Sequence, residues 1–207
     1  MILQNFDRNR QQQFLENSIS QWGWSIFPLH KVRRGILSSR AWCSCKLGHT
    51  CPRVGKCPRI CWGDHKDHVR AGRVGHWLDN SFRNFGVHLG LSNLIVIDVD
   101  PRNGGEEFIR QTRTREGSEI TNWSEASNGG YHLYFRAGGY ADPLRGLILD
   151  DDDYTTCLEL MPGAEVLSGQ HFVVAPYSEH RSGAVYIPHF DRGFLSFGAV
   201  SDVVKMD

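Results

Sequence analysis

The sequence has no excess charge of either sign and no long hydrophobic run. Its 23 Lys and Arg residues balance its 23 Asp and Glu residues. The formal net charge is therefore zero and gives no overall electrostatic attraction to nucleic acid. No apolar stretch approaches the roughly 20 residues of a membrane-spanning helix, and we expect no membrane partner. The N-terminus lacks a signal-peptide pattern, which together with the cysteine usage described next predicts a cytoplasmic protein.

Cysteine is scarce outside one short segment. Of the six cysteines, five lie between Cys43 and Cys61, interleaved with histidines, and Cys157 lies far away. A chain of this length does not need disulfides to form a core, so the cluster indicates reduced thiols that bind zinc and order a loop with little apolar content. Our first choice of ligands is Cys43, Cys45, Cys51 and Cys57, with Cys61, His49, His65 and His68 as substitutes.

Charge is distributed unevenly along the chain. Residues 31–75 carry eleven Lys and Arg residues against two acids, whereas residues 139–165 carry seven acids against one arginine. A basic segment beside an acidic one suits a protein that holds a polyanion together with metal ions. Two ordinary solvated surfaces would give the same counts, and this alternative stays open.

The pattern of apolar residues predicts a mixed fold. It predicts helices at residues 2–18, after Val74 and after Gly105, and an irregular basic lobe at residues 40–70. The predicted strands cover Trp24–His30, Asn84–Leu89, Leu94–Val99, Gly130–Ala137, Cys157–Met161, His171–Pro176 and Gly183–Pro188. Since helices and strands do not alternate regularly, we expect an α+β domain, and we expect its strands not to depend on the lobe.

Two aspartates follow an apolar run in the segment NLIVIDVDPRNGG, residues 93–105. The β-branched stretch Leu94–Val99 predicts a central strand covered on both faces. Because side chains alternate along a strand, Asp98 and Asp100 are expected on one face, where a divalent metal would offset their repulsion. A solvated acidic turn is the alternative for a motif as short as D-x-D.

A histidine stands at the start of the next apolar strand, in the segment SNGGYHLYFR, residues 127–136. The Gly129–Gly130 turn would let the backbone approach a ligand closely. His132 is the first polar side chain on this strand, where its imidazole is able to donate to a phosphate oxygen. A histidine that is simply hydrogen-bonded at a strand end would give the same pattern.

A third carboxylate lies downstream. Glu165 stands between two apolar residues, and the polar residues Ser178, His180, Arg181 and Ser182 follow it. Three acids and a histidine on neighbouring strands are the components of a two-metal site for phosphoryl transfer, in which the metals neutralise a triphosphate and activate a hydroxyl.

In the order of these segments, the chain resembles the bifunctional primase–polymerase (prim-pol) domain of the archaeo-eukaryotic primase superfamily. LIVIDVDPRNGG is similar to the family's first motif, which implies that Asp98 and Asp100 bind metal. SNGGYHLYFR is similar to the second motif, which implies that His132 is catalytic and contacts the phosphates of the incoming nucleotide. The nucleotide-binding residues that the resemblance implies are Ser127, Asn128, Gly129, Gly130, His132, Ser178 and His180.

The third region of the family is similar to PGAEVLSGQHFVVAPYSEHRSGAVY, residues 162–186. Glu165 falls at the spacing of the third metal ligand, where aspartate is more usual, and Glu159 is the fallback. Tyr177 stands where relatives usually have a second proline. Relatives also carry GKHP where this chain has GKCP, so Cys57 replaces a histidine ligand and zinc-binding chemistry is retained.

The resemblance covers residues from about Gly23 to Tyr186 and implies both fold and activity. It implies an RRM-like catalytic sheet packed on helices, an N-terminal α/β module and an inserted zinc-binding stem. The whole chain, 1–207, would be one primase–polymerase domain, with the lobe at 40–70 and the catalytic core at 84–190. It would be the N-terminal part of a longer replication protein, with a fused or associated helicase as partner.

The implied activity is that of a nucleotidyltransferase, a DNA primase and DNA-directed DNA polymerase of phage or plasmid replication. It would use Mg²⁺ or Mn²⁺ for catalysis and Zn²⁺ for structure, and its substrates would be single-stranded DNA template, primer and dNTP or NTP in a bacterial or archaeal host cell. Two alternatives are a metal-dependent nuclease, which would use the same carboxylates, and a non-catalytic zinc-containing DNA-binding module.

Overall fold

The computed structural model describes residues 7–35, 38–60, 72–113, 122–125, 129–137, 157–190 and Phe194. Within these ranges the chain forms three α-helices: α1 (Arg8–Trp22), α2 (Gly72–Asp79) and α3 (Glu106–Arg113). None of the three has the length and apolar character needed to cross a bilayer. The described part of the chain has more residues in strands than in helices.

The strands are β1 (Ser25–Leu29), β2 (Val32–Gly35), β3 (Ser38–Cys43), β4 (Asn84–His88), β5 (Leu94–Val99), β6 (Asn122–Glu125), β7 (Tyr131–Arg136), β8 (Cys157–Met161), β9 (Ala164–Leu167), β10 (Phe172–Val174) and β11 (Ile187–His189). They form a six-stranded sheet in the order β11-β6-β7-β5-β9-β8, a three-stranded sheet in the order β1-β4-β10, and the hairpin β2-β3. All pairs are antiparallel. The expectation of a mixed α/β fold is confirmed, and the RRM-like arrangement stays a prediction.

Strand β5 lies at the centre of the larger sheet and is covered on both faces, as its sequence predicts. On one face Ile95, Ile97 and Val99 pack with Phe108 of α3. On the other, Val96 belongs to a core that includes residues of the smaller sheet. Each fully buried side chain of this kind contributes about 1.5–3 kcal/mol. Asp98 is on the same face as Val96 and therefore lies where the two sheets meet.

Helix α1 closes the core beside the smaller sheet. The Asp7 carboxylate accepts a hydrogen bond from the backbone N–H of Arg10 at 3.1 Å, and Gly23 ends the helix with φ of 70°. These caps place the helix several residues later than the predicted 2–18, and residues 1–6 lie outside the described ranges. The buried amide of Gln11 donates to the carbonyls of Arg83 and Tyr177, which ties α1 to the loops around the site.

The cysteine-rich loop is attached to the core, contrary to the expectation that the core is independent of it. The N–H of His30 donates to the carbonyl of Cys57 at 2.7 Å, and Leu29 forms a β-bridge with Pro58. The side chain of Asn84, fully buried at the start of β4, donates to the carbonyls of Gly55 at 3.0 Å and Glu179 at 2.8 Å. The loop is therefore joined to both β1 and β4, and part of the predicted irregular lobe is the strand β3.

The predicted boundary of the catalytic core at residue 84 runs through a sheet. Strand β1 pairs with β4 from Ser25↔His88 to Leu29↔Asn84, and β4 also pairs with β10. The N-terminal strand and the segment predicted as the core thus share hydrogen bonds. Domain limits within the chain stay a prediction.

Candidate active site and cysteine cluster

A row of polar residues crosses the larger sheet, one from each of several neighbouring strands. Asp98 of β5 stands opposite His132 of β7 on one side and Glu165 of β9 on the other. Beyond His132 the row continues to Ser124, and beyond Glu165 it continues to Glu159. Residues directly opposite each other on antiparallel strands have their Cα atoms about 4.5–5.5 Å apart and share a face. Strand register therefore brings the predicted Asp98, His132 and Glu165 together.

The same register separates the two candidates for the third carboxylate. Glu165 is on the strand next to Asp98, whereas Glu159 is one strand further away. Strands are about 4.8 Å apart, so a metal held by Asp98 is within reach of Glu165 first. Both glutamates are exposed to solvent.

His132 is buried beside Asp98. Its side chain is 6% exposed against 39% for Asp98, and its Nε2 lies 3.7 Å from Asp98 Oδ1. Its ring stacks on Tyr186 at a centroid distance of 5.4 Å, and the Tyr134 hydroxyl lies 3.5 Å from its Nδ1. Burial lowers the pKa of His132, while the Asp98 carboxylate opposes this shift and the charge of Lys56 adds to it. The ring lies beside the Asp98 carboxylate, slightly beyond hydrogen-bond distance of it.

Asp100 is fully engaged by its own turn. Its Oδ1 accepts from the N–H of Arg102 at 3.0 Å and from Arg102 Nε at 2.9 Å; its Oδ2 accepts from Arg102 Nη2 at 2.7 Å and from Asn103 Nδ2 at 3.2 Å. The turn is a 3-10 helix, Pro101–Asn103, that Asp100 caps. The hydrogen bonds from Arg102 hold the pKa of Asp100 below its usual value.

Glycines hold this turn against the β8–β9 connection. Gly163 has φ of 74°, and its carbonyl accepts from the N–H of Asp100 at 2.7 Å. A Cβ on Gly105 would lie 2.7 Å from the Gly163 carbonyl oxygen, so the two chains approach too closely for a side chain there. The glycine pair Gly104–Gly105 thus fixes the position of Asp100 relative to the strand that carries Glu165.

His180 lies in a cationic environment at the edge of this site. Its Nδ1 lies 2.8 Å from the Ser182 hydroxyl and accepts from the Ser182 N–H at 3.2 Å, which leaves Nε2 as the protonated nitrogen.

Burial lowers the pKa of His180 to about 4, and four nearby cations act in the same direction: Lys56, Arg181, Arg102 and Arg34. Arg34 is occupied by Glu179 at 3.3 Å and by the carbonyls of His180 and Arg181. The other three cations are exposed to solvent and suit an anionic ligand.

Ser178 joins its own segment to the smaller sheet. It is fully buried, and its hydroxyl accepts from the N–H of Phe85 at 3.1 Å. It therefore holds the segment that carries His180 against β4, and its contact with a nucleotide stays a prediction. The neighbouring Tyr177 has φ of 63° and donates its N–H to Tyr186 at 2.8 Å. Proline has no backbone N–H and cannot reach a positive φ, so it would not fit at position 177.

The predicted turn before β7 is described only in part. Gly129 has φ of 83°, and a Cβ placed on it would contact the Pro101 ring at 3.8 Å, so the turn lies beside the one that carries Asp100. Gly130 leads into β7. The predicted nucleotide-binding residues Ser127 and Asn128 lie outside the described residues.

Four cysteines converge at the end of the β2–β3 hairpin. The sulfurs of Cys43, Cys45, Cys51 and Cys57 all lie within 4.8 Å of one another, and none forms a disulfide. Sulfurs around a tetrahedral zinc are about 3.8 Å apart, given a Zn–S distance near 2.3 Å, so the cluster is compatible with zinc. Burial, the hydrogen bond with Cys51 and the negative charges of the neighbouring thiolates raise the pKa of Cys57. Four thiolates this close repel one another, and a bound cation would offset that repulsion.

The substitute zinc ligands are not part of this cluster as far as the chain is described. His49 instead stacks on Trp42, with ring centroids 4.7 Å apart. Cys61, His65 and His68 lie outside the described residues. Among the residues that the structure describes, the four cysteines are the one group of at least three potential ligands with all ligand atoms within 4.8 Å.

Two interactions at this site were not predicted from the sequence, one made by Arg102 and one by Lys56. Arg102 belongs to the first motif, but its contact with Asp100 depends on the 3-10 turn. Lys56 lies in the GKCP run between Gly55 and Cys57, and its charge acts on Asp100, His132 and His180. A lysine beside a zinc ligand gives no indication of this from sequence, because the loop must first be placed against β1 and β4.

Comparison with known proteins adds one finding to this geometry. The family model described as "Bifunctional DNA primase/polymerase, N-terminal" matches residues 16–192, which include both the polar row and the cysteine cluster. No curated protein matches the chain.

Proposed function

Because the chain belongs to the family of bifunctional DNA primase/polymerases, we propose that it synthesises and extends primers on single-stranded DNA by nucleotidyl transfer. The observation that supports this proposal is the row Glu165, Asp98, His132 beside three solvent-exposed cations. Carboxylates suit divalent metals and cations suit phosphates, and a polymerising site needs both next to each other.

In this proposal the carboxylates and the cations divide the nucleotide between them. Asp98, Asp100 and Glu165 would hold Mg²⁺ or Mn²⁺, which neutralises phosphate charge and makes the attacking 3′-hydroxyl more acidic. Lys56, Arg181 and the Nε2–H of His180 would bind the phosphates of a dNTP or NTP. The 3′-oxygen then forms a bond to the α-phosphorus as the bond to pyrophosphate breaks.

In this proposal His132 acts on Asp98, and its contact with the phosphates stays a prediction. Its burial and its position 3.7 Å from Asp98 support its action as a positioning residue that keeps the carboxylate turned towards the metal. The residues at the turn before β7, Ser127–Gly130, remain candidates for contact with the nucleotide.

Zinc would have a structural role. The residues fit the ion, because four thiols converge within 4.8 Å on a loop with little apolar content. Bound zinc would hold the loop in the conformation that places Lys56 beside the site.

The proposal also covers the replication system, the cell compartment and the partners, on the basis of the family. We place the protein in phage or plasmid replication in the cytoplasm of a bacterial or archaeal host, with template, primer and a fused or associated helicase as partners. The uneven charge of residues 31–75 supports template binding by the cysteine-rich side of the molecule.

The test is a primer-synthesis assay with a single-stranded template, labelled dNTPs or NTPs, and Mg²⁺ or Mn²⁺. The wild-type chain should yield labelled products without a supplied primer and should extend a supplied one. Asp98→Asn should reduce both activities by about 100-fold or more, since a metal ligand contributes several kcal/mol to the transition state. Shortening of the DNA would instead support a nuclease, and binding without synthesis under either metal would support a non-catalytic module.

A further inference from the structure

The ion pair between Arg102 and Asp100 conflicts with metal binding by Asp100. An ionised carboxylate offers about four lone-pair sites, and Asp100 uses them for four donors from Arg102 and Asn103. One of these donors is the backbone N–H of Arg102, which the 3-10 turn fixes. A metal can therefore bind Asp100 only after a side-chain donor leaves.

Arg102 is the donor best placed to leave. Its guanidinium provides two of the four bonds and is 53% exposed, whereas the Asp100 side chain is 28% exposed. Exposed ion pairs stabilise a protein little, so a divalent cation is able to displace the guanidinium. The released side chain remains anchored two residues from Asp100, at the site where the nucleotide phosphates would lie.

Resting on the proposed function, we propose that Arg102 occupies the metal-binding oxygens of Asp100 until metal arrives and then binds a phosphate of the incoming nucleotide. The same guanidinium would thus serve two anions in turn. It would neutralise Asp100 in the empty site, and it would neutralise the triphosphate in the loaded site. Guanidinium is suited to both because its planar fork binds carboxylate and phosphate in the same bidentate way.

The two roles make opposite predictions for removal of the side chain. Without nucleotide, Arg102→Gln should bind Mn²⁺ about fivefold more tightly than the wild type, because no guanidinium competes for Asp100. With saturating Mn²⁺ and no template, the same variant should bind dATP about tenfold more weakly, because a charge-assisted phosphate contact is lost. A residue that only stabilises the turn would not shift these two affinities in opposite directions.

Arg102→Lys separates the roles further. Lysine keeps the positive charge but lacks the bidentate fork, so Mn²⁺ binding should tighten as in Arg102→Gln, while dATP binding should weaken less than in Arg102→Gln because the charge is retained. The matched control is Arg110→Gln, which removes an exposed arginine that pairs with Glu107 of its own helix. Its Mn²⁺ and dATP affinities should equal those of the wild type.

The measurements are Mn²⁺ titration by electron paramagnetic resonance and dATP titration by calorimetry, on full-length protein whose circular dichroism matches the wild type. Unchanged Mn²⁺ affinity in Arg102→Gln would overturn the proposal. So would unchanged Mn²⁺ affinity in Asp100→Asn, which would make Asp100 a structural cap. If the wild type binds no more Mn²⁺ than Asp98→Asn, the metal site fails and the proposed function fails with it; failure in Arg102→Gln alone leaves that function standing.

Discussion

At the scale of single residues, the strand register distinguishes two glutamates that the sequence leaves equivalent. Glu165 stands directly opposite Asp98, and Glu159 stands one strand beyond. We expect Glu165→Gln to lower primer extension by about 100-fold, as for loss of a metal ligand.

Glu159→Gln is the matched control, since it makes the same change on an exposed residue of the adjacent strand. It should change extension less than about threefold, which is the scale of an exposed charge near a site. Rates are compared at saturating Mn²⁺ and nucleotide. A larger loss in Glu159→Gln than in Glu165→Gln would reverse the assignment of the third ligand.

His180 makes the stability of the protein depend on pH. Its folded pKa is about 4, below the usual 6.5, because of burial and the four cations Lys56, Arg181, Arg102 and Arg34. Between these two pH values the unfolded chain binds a proton here that the folded chain does not, so the free energy of unfolding falls as the pH decreases. From pH 7 to pH 5 we expect a loss of about 1–2 kcal/mol from this residue, allowing for solvent screening.

His180→Asn should remove most of that loss, because an asparagine oxygen is able to accept the hydrogen bond from Ser182 and does not titrate. Urea unfolding at pH 7 and pH 5 measures the difference. The control His76→Asn changes an exposed histidine of α2 and should leave the pH dependence as in the wild type. Equal pH dependence in His180→Asn and the wild type would contradict the assignment.

At the scale of elements, Asn84 joins three parts of the chain that are far apart in sequence. From the start of β4 its amide donates to the carbonyls of Gly55 and Glu179, and its oxygen accepts from the N–H of Glu179 at 3.0 Å. Asn84→Ala leaves these buried groups without partners, and we expect a loss of about 3 kcal/mol in the free energy of unfolding.

The same variant should release zinc faster to a chromogenic chelator, because the cysteine loop loses its bond to β4. Asn80→Ala is the control: Asn80 is exposed, and its amide donates to the carbonyl of His76 within the same turn. A destabilised Asn84→Ala that releases zinc at the wild-type rate would show that the bond does not restrain the loop.

Strands were predictable from the sequence where apolar residues run together. Leu94–Val99 and Cys157–Met161 were located with the bounds that the structure has. The four-residue strands β2, β6 and β9 were missed, because VRRG and NWSE carry mostly polar residues and AEVL is too short to show a period. Their pairing comes from neighbours distant in sequence, which local patterns do not contain.

Site residues, like strands, were predictable only where the pattern of apolar residues is clear. The D-x-D motif and the histidine strand predicted Asp98 and His132 as site residues, and the register places these two residues opposite each other because both lie in strands whose alternation is clear. The ion pair of Arg102 with Asp100 and the proximity of Lys56 were not predictable, because both depend on how a turn or a loop folds back. The burial of Ser178 likewise follows from contact with β4 and not from its own segment.

At the scale of the whole molecule, the cysteine loop and the two sheets are joined by hydrogen bonds. The carbonyls of Cys57 and Pro28 accept from the N–H groups of His30 and Arg59 at 2.7 and 3.0 Å. We therefore expect the described chain to unfold as one unit, with a midpoint that falls by at least about 5 °C when zinc is removed.

Differential scanning calorimetry with and without a zinc-selective chelator measures this shift. Cys57→Ser should melt at the chelated midpoint, and chelator should not lower it further. Two separate transitions, with only the smaller one sensitive to chelator, would mean that the loop and the core unfold independently.

The row of polar residues across the larger sheet also constrains how this gene is able to change. Each member occupies its place through strand register, so deletion of a single codon within β5 would turn Asp98 towards α3 and bring an apolar neighbour into the row. Insertions and deletions would therefore be expected in the connections between strands, while lineages that lengthen or shorten β5, β7 or β9 by one residue would lose the site in one step.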